Sequence, residues 1–279
     1  MIRNPQALAA SPFFASVASL LGRLPSGRFP ATADLNALVA PGIVSGGGAP
    51  VRFEPACTGD RAATPAFESG YEVRVHRDGA VSTREGNLHD LFNALVWLRF
   101  PRTKAALNDG HYRRMLLARA RAGSPADGTR GAARDALTLF DESGVIVASS
   151  SPRLLALLRG FEWKRLFVEH RAELVSSMRV YVFGHAILEK AVSPYRGLTG
   201  MAMLLEVDHG FPGLAPDRQL EALDARVARE VAESLDGTGS LAPLPLLGLP
   251  GWCADNADPA YYDDVSQFRP GRRSGRQPA

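Results

Sequence analysis

The sequence predicts an α+β fold: a mostly antiparallel sheet, built from two hairpins and a further strand, packed against helices. Three observations carry that expectation. Residues 71–75 alternate apolar and polar, Asp78-Gly79 offers a turn, and residues 80–83 return. Residues 137–141 and 145–149 repeat this layout around Glu142-Ser143-Gly144. Residues 179–183, RVYVF, read as a strand on their own, and no regular β-α-β alternation surrounds them.

The remaining elements follow from local pattern. Near the N-terminus, Phe13, Phe14, Val17, Leu20, Leu21 and Leu24 form a helical stripe behind Ser11-Pro12, a cap followed by a first-turn proline. A folded helix is expected there rather than an export signal. Residues 32–39 read as a second short helix, and Gly46-Gly47-Gly48 as a loop without phosphate-loop context. Residues 51–54 suit a short strand. Two central helices follow, separated at Phe100-Pro101, and Asp109-Gly110 is expected to bend or end the second. Residues 152–160, 161–174, 186–192 and 217–235 read as helices, and 195–200 as a loop. The proline-rich stretch from Leu241 is expected to wrap the body as extended chain. The layout predicts an N-terminal helical segment (1–45), one α+β domain (46–265) and an Arg-rich disordered tail (266–279).

Composition narrows the class. At 279 residues, 46% hydrophobic and 22% charged, the chain can bury a sizeable core. Its pI of about 9.1 suggests nucleic acid. However, Arg269, Arg272, Arg273 and Arg276 alone exceed the formal net charge of +3. The body is slightly acidic without them, so a nucleic-acid partner is expected only through the tail. Cys57 and Cys253 lack partners at metal spacing and are too few for a disulfide framework, which points to a reducing cytoplasm. No stretch has the apolar length of a membrane span.

Chemistry concentrates around residues 87–111, where polar groups interrupt apolar helices and must be paired if buried. Asn87 suits an N-cap, with Asp90 three positions on. His89 and Asn93 share a face of an otherwise apolar helix, either as a satisfied core network or as a ligand-facing pair. Lys104, Asn108 and His111 share a side of the next helix and, with Arg102, read as a solvated face or an anion-binding stripe. His185 stands where a strand meets a helix, with Glu189 one turn later.

The expectation is a hydrolase acting on a small anionic substrate. His89, Asp90 and His185 are its catalytic candidates, and Asn93, Arg102, Lys104, Asn108 and Arg134 would bind substrate. A divalent metal is the candidate cofactor, held by His89, His185 and Glu189. Asp141 and Glu142 read as exposed turn acids. Arg196 and Thr199 in the YRGLTG loop could form an anion nest, and Trp252, Asn256, Tyr261 and Tyr262 could roof a pocket. The alternative is a non-catalytic binding or assembly protein whose polar groups form a structural network. Phosphate loops, dinucleotide fingerprints, nucleophile elbows and HExxH do not occur.

The stretches NLHDLFNALVWLRFPRTKAALN, RDALTLFDESGVIVAS, YVFGHAILEKAVSPYRGLTG, LPLLGLPGW and YYDDVSQFRP closely resemble the proteobacterial family called domain of unknown function 3025. The resemblance spans residues 71–270. It implies a bacterial, cytoplasmic protein and carries over no activity, cofactor or catalytic residue.

Overall fold

The computed structural model of the chain describes residues 5–56, 67–68, 70–121, 132–235 and 237–271. The N-terminal apolar stripe forms 3-10 turns at Pro5–Ala10 and Pro12–Phe14 and the short helix α1 (Ala18–Leu21). Phe14 stacks on Phe92 with ring centroids 5.6 Å apart, which ties this segment to the core. Then come α2 (Thr32–Asn36), β1 (Arg52–Pro55), α3 (Tyr71–Asp78), β2 (Ala80–Thr83), α4 (Leu88–Arg99) and α5 (Pro101–Arg121). The second half contains α6 (Ala132–Ser143), β3 (Gly144–Ser149), α7 (Pro152–Arg159), a π turn (Arg165–Glu169), α8 (Arg171–Ser177), β4 (Met178–Val182) and α9 (His185–Ala191). It closes with β5 (Thr199–Glu206), α10 (Pro216–Glu233) and β6 (Ala242–Pro245).

The sheets differ from the expected antiparallel arrangement. The main sheet has strand order β4-β3-β5-β6. β3 runs antiparallel to β4 but parallel to β5, and β5 runs antiparallel to β6. β1 and β2 form a separate parallel pair with α3 between them in the chain. The fold is α+β with mixed and parallel pairing.

Both expected hairpins are absent, for the same reason. In each, the first arm is a helix: α3 replaces the arm at 71–75, and α6 replaces the arm at 137–141. A five-residue run cannot separate a strand from one turn of helix: α3 buries Val73 and Val75, two positions apart, and the second run sets Leu139 beside Phe140. Asp78-Gly79 is a helix end instead of a hairpin turn. Gly79 takes φ 67°, and its N–H returns to the Val75 carbonyl. A left-handed glycine serves a hairpin turn and a helix C-cap equally well.

β3 is buried along its whole length, as a central strand covered on both faces should be. Its parallel neighbour β5, TGMAMLLE, is rich in Met, Ala and Leu and carries little strand propensity, so pairing to β3 decides its conformation. β6 lies at the sheet edge, where its prolines are tolerated. Helix α5 does not end near Asn108 but continues to Arg121, and Gly110 lets the Leu137 side chain of α6 approach closely.

The start of α5 is capped from a distant element. Asp224 of α10 accepts from the Thr103 N–H at 2.8 Å, the Thr103 hydroxyl at 2.8 Å and the Arg102 N–H at 3.1 Å. These satisfy donors that a helix N-terminus otherwise leaves open, with a carboxylate at the positive end of the dipole. Asp224→Ala is therefore expected to cost about 1–3 kcal/mol in a urea titration, the loss of a cap plus unpaired buried donors. Asp217→Ala, at the exposed start of α10, should cost much less.

Candidate functional site

The site forms where three helix ends meet: the first turn of α4, the last turn of α6 and the first turn of α9. Asn87 caps α4, its side chain accepting from the Asp90 N–H at 3.0 Å, and this fixes the turn that presents His89. α6 runs into β3 without a loop, and α9 follows β4 through Phe183 and Gly184. The Phe183 and Gly184 N–H groups both donate to the Gly144 carbonyl, at 3.0 and 2.8 Å. A Cβ on Gly184 would stand 2.5–2.6 Å from backbone atoms of Glu142, Ser143 and Gly144. Only glycine allows that approach, and the approach places His185 beside Glu142.

His89 Nε2 and His185 Nε2 lie 3.1 Å apart. Glu142 Oε2 sits 3.5 Å from His185 Nε2 and 4.0 Å from His89 Nε2. His89 Nδ1 contacts Glu189 Oε2 at 3.1 Å, and His185 Nδ1 lies 4.0 Å from Asp141 Oδ2 without a hydrogen bond of its own. Each imidazole thus turns Nδ1 toward a carboxylate and Nε2 toward a shared point with Glu142. Glu142, half-exposed, and His89, 31% exposed, open the site to solvent, while His185, 6% exposed, forms its floor.

Behind His185 lies a buried polar chain. Lys104 Nζ donates to Asp141 Oδ1 at 2.6 Å and Asn93 Oδ1 at 2.9 Å, and stands 5.4 Å from the Trp97 ring centre. Asn93 Nδ2 donates to the Tyr71 hydroxyl at 2.9 Å. Burial alone would raise the Asp141 carboxyl, but Lys104, with His185 and His111, outweighs it and holds Asp141 below the ordinary carboxylate range. Glu142 is pushed up, first by burial and then by the charge on Asp141. Burial is also the main force on His185 and, with Lys104 and His89, pushes it down to about 4 against the pull of Asp141. Burial likewise raises the Tyr71 phenol.

The sequence candidates divide into groups. His89, His185 and Glu189 come together, with Asn93 and Lys104 one layer deeper. Asp90 stands apart: both its oxygens accept from the Arg84 guanidinium at 2.8 Å, and Oδ2 also takes the Arg84 N–H at 2.7 Å. Asn108 ties α5 to α3 and the glycine loop, bonding the Glu72 carbonyl and carboxylate and the Gly46 N–H. Arg102 offers its backbone to Asp224. Arg134 belongs to α6, but its side chain lies outside the described residues, as does Cys57.

Sequence reasoning missed Glu142 and Asp141, read as exposed turn acids. Once α6 is recognised as a helix, a signal appears: two acids occupy its last turn, the end whose dipole disfavours them.

His89, Glu142 and His185 each offer one ligand atom, all within 4.8 Å of one another. Ligands about 2.0–2.1 Å from a tetrahedral metal lie about 3.3 Å apart, and the observed separations bracket that edge. No helix among the described residues is long and apolar enough to cross a membrane. A family model described as "Protein of unknown function (DUF3025)" matches residues 60–272, well over half of the chain. No curated protein and no solved structure matches it.

Two outcomes test this geometry. Gly184→Ala should cost about 1–3 kcal/mol, as overpacking does, whereas Gly213→Ala, with open space around it, should be near neutral. The second concerns acid. In the unfolded chain His185 takes up a proton near 6.5, in the fold only near 4. Between those values the unfolded state binds more protons, so its contribution is complete above 6.5 and lost as pH falls toward 4. The loss should be on the order of 3 kcal/mol, measured as the wild-type slope that His185→Gln removes.

Proposed function

We propose that this chain, which belongs to that family of proteins of unknown function, binds a divalent metal through His89 Nε2, His185 Nε2 and Glu142 and uses it to hydrolyse a small anionic substrate. One observation carries the reading: three acceptor-type ligand atoms converge while both Nδ1 atoms face carboxylates. With Nδ1 protonated, both Nε2 lone pairs point at one another and at Glu142, an unfavourable arrangement that a cation relieves. Such an ion supplies Lewis acidity and acidifies water.

The chain's own residues complete the reading. Glu189 would hold the His89 tautomer, and Asp141, anchored by Lys104, faces Nδ1 of His185. Two neutral imidazoles and one carboxylate leave a divalent ion with net positive charge, which suits an anionic group. His185, held neutral by burial, stays in its ligating form at neutral pH. In hydrolysis the oxygen of water adds to the carbonyl or phosphoryl centre, the bond to the leaving group breaks, and the proton from water ends on the leaving group.

A second reading has its own support. A protonated His89 could donate from Nδ1 to Glu189 and from Nε2 to His185, so that the pair and the Lys104–Asp141–Asn93–Tyr71 chain form a purely structural network in a binding or assembly protein.

Metal analysis of untagged protein separates the two. The metal reading expects about one divalent ion per chain, lost in His89→Ala, His185→Ala and Glu142→Ala. In Glu189→Gln, which removes an outer-shell partner, binding should weaken about 10–100-fold. Wild-type protein that takes up no zinc, manganese or iron at neutral pH overturns it. Hydrolysis is tested on bis(4-nitrophenyl) phosphate and 4-nitrophenyl acetate: metal-dependent release of nitrophenol, abolished by His185→Ala, is expected, and metal binding without turnover favours the binding protein.

A further inference from the structure

A second cavity, of about 820 Å³, lies between the segment joining α7 to the π turn, the Arg196–Thr199 loop, β6 and the C-terminal described residues. It shares no residue with the histidine cluster, and its volume falls within the usual span of small-molecule sites. We propose that it binds a planar aromatic anion: a ring bearing an N–H or hydroxyl donor and a carboxylate or phosphate. The proposal is independent of the metal reading.

Gln267 gives the clearest sign. The residue is 5% exposed and lines the cavity. Its Nε2 donates to the Tyr261 hydroxyl at 2.8 Å, and its Oε1 has no partner. A buried amide oxygen left unpaired is costly, and the side chain that carries it belongs to the cavity wall.

The cavity wall is built and held. Phe161 takes φ 57° as the left-handed residue that ends α7, its N–H donating to the Leu158 carbonyl and the Glu162 N–H to the Leu157 carbonyl. Its ring meets Trp163 edge-on at 5.6 Å. Trp163 is anchored on both sides: it stacks on Phe167 at 5.9 Å, and its indole N–H donates to the Arg269 carbonyl at 2.8 Å. An aromatic wall fixed in this way suits stacking on a flat ligand.

The rim supplies charge. Arg196 and Arg269 line the same cavity, with Asp264 holding Arg196 at 3.3 Å and the Ser266 carbonyl accepting from Arg269 Nε at 3.3 Å. Two guanidiniums beside an aromatic wall and a buried acceptor select an anionic ring over a neutral ring or a bare anion.

Calorimetric titration of the full chain tests this with 4-hydroxybenzoate, adenosine 5′-monophosphate, benzyl alcohol and inorganic phosphate. At least one of the two aromatic anions should bind saturably at one per chain, with benzyl alcohol and phosphate at least tenfold weaker. Gln267→Leu should weaken binding about tenfold, with circular dichroism checking that the variant folds, since it also loses the hydrogen bond to Tyr261. Arg269→Gln should weaken it severalfold. No saturable binding of either aromatic anion overturns the proposal, as does phosphate binding equally well. A variant set that binds like the wild type also overturns it. If Gln267→Leu does not fold, Gln267→Glu keeps the shape and should repel the anion. A Gln267→Glu protein that binds as the wild type does counts against the site.

Discussion

The contact on which the site depends is made by backbone alone. Gly184 rests against the junction of α6 and β3, with its own N–H and that of Phe183 bonded to the Gly144 carbonyl. No side chain fits between them. From this seat the neighbouring arrangements follow. Phe183 stacks on Phe140 at 4.8 Å and meets Phe100 edge-on at 5.4 Å, which joins α6, β4 and the start of α5 in one apolar cluster. The next residue, His185, is carried to the end of α6, where consecutive acids point in different directions because successive helical residues are about 100° apart. Asp141 faces inward to Lys104, and Glu142 faces the histidines.

The buried ion pair gives this region its electrostatic character. Lys104 is 4% exposed and Asp141 18%. Taking both charges out of water is expensive, and the cost is offset because partners are close: Asn93 and the Trp97 ring complete the set around the ammonium, and the Tyr71 hydroxyl in turn takes a hydrogen bond from Asn93. An apolar pair of similar volume could serve stability equally well. A charged pair does something else as well. It holds the inner carboxylate ionised directly behind His185, while burial keeps His185 itself neutral. A neutral imidazole backed by a fixed carboxylate is the state in which histidine ligates metals or accepts protons.

Much of the candidate site was legible before any fold was known, because the relevant signal is local. His89 and Asn93 stood out as polar residues on a helix apolar nearly all round, and both prove to be paired. Asn87 capping Asp90 follows directly from helix-end chemistry. Glu142 was not legible, since reading it as a turn residue depended on the hairpin around Gly144. Lys104, Asn108 and His111 read, with Arg102, as a solvated face or an anion-binding stripe, yet the residues diverge: Lys104 faces Asp141, Asn108 faces α3, and Arg102 gives its backbone N–H to Asp224. Helical spacing gives the face of a residue but not the element that covers that face.

By itself the sequence determined the central helix with its Asn87 cap, the strands near 80–83, 145–149 and 179–183 and the family, since these rest on neighbours in the chain, whereas the N-terminal stripe read as one helix is 3-10 turns and a four-residue helix. Tertiary structure decided the helical state of 71–78 and 132–143, whose short alternating runs suit either conformation until packing selects one. It decided the parallel pairing of β3 with β5, where weak strand propensity is overridden by a buried, fully bonded neighbour. It also decided which carboxylate meets the two histidines. That meeting joins residues far apart in sequence through one glycine-sized gap, and only the packed chain specifies it.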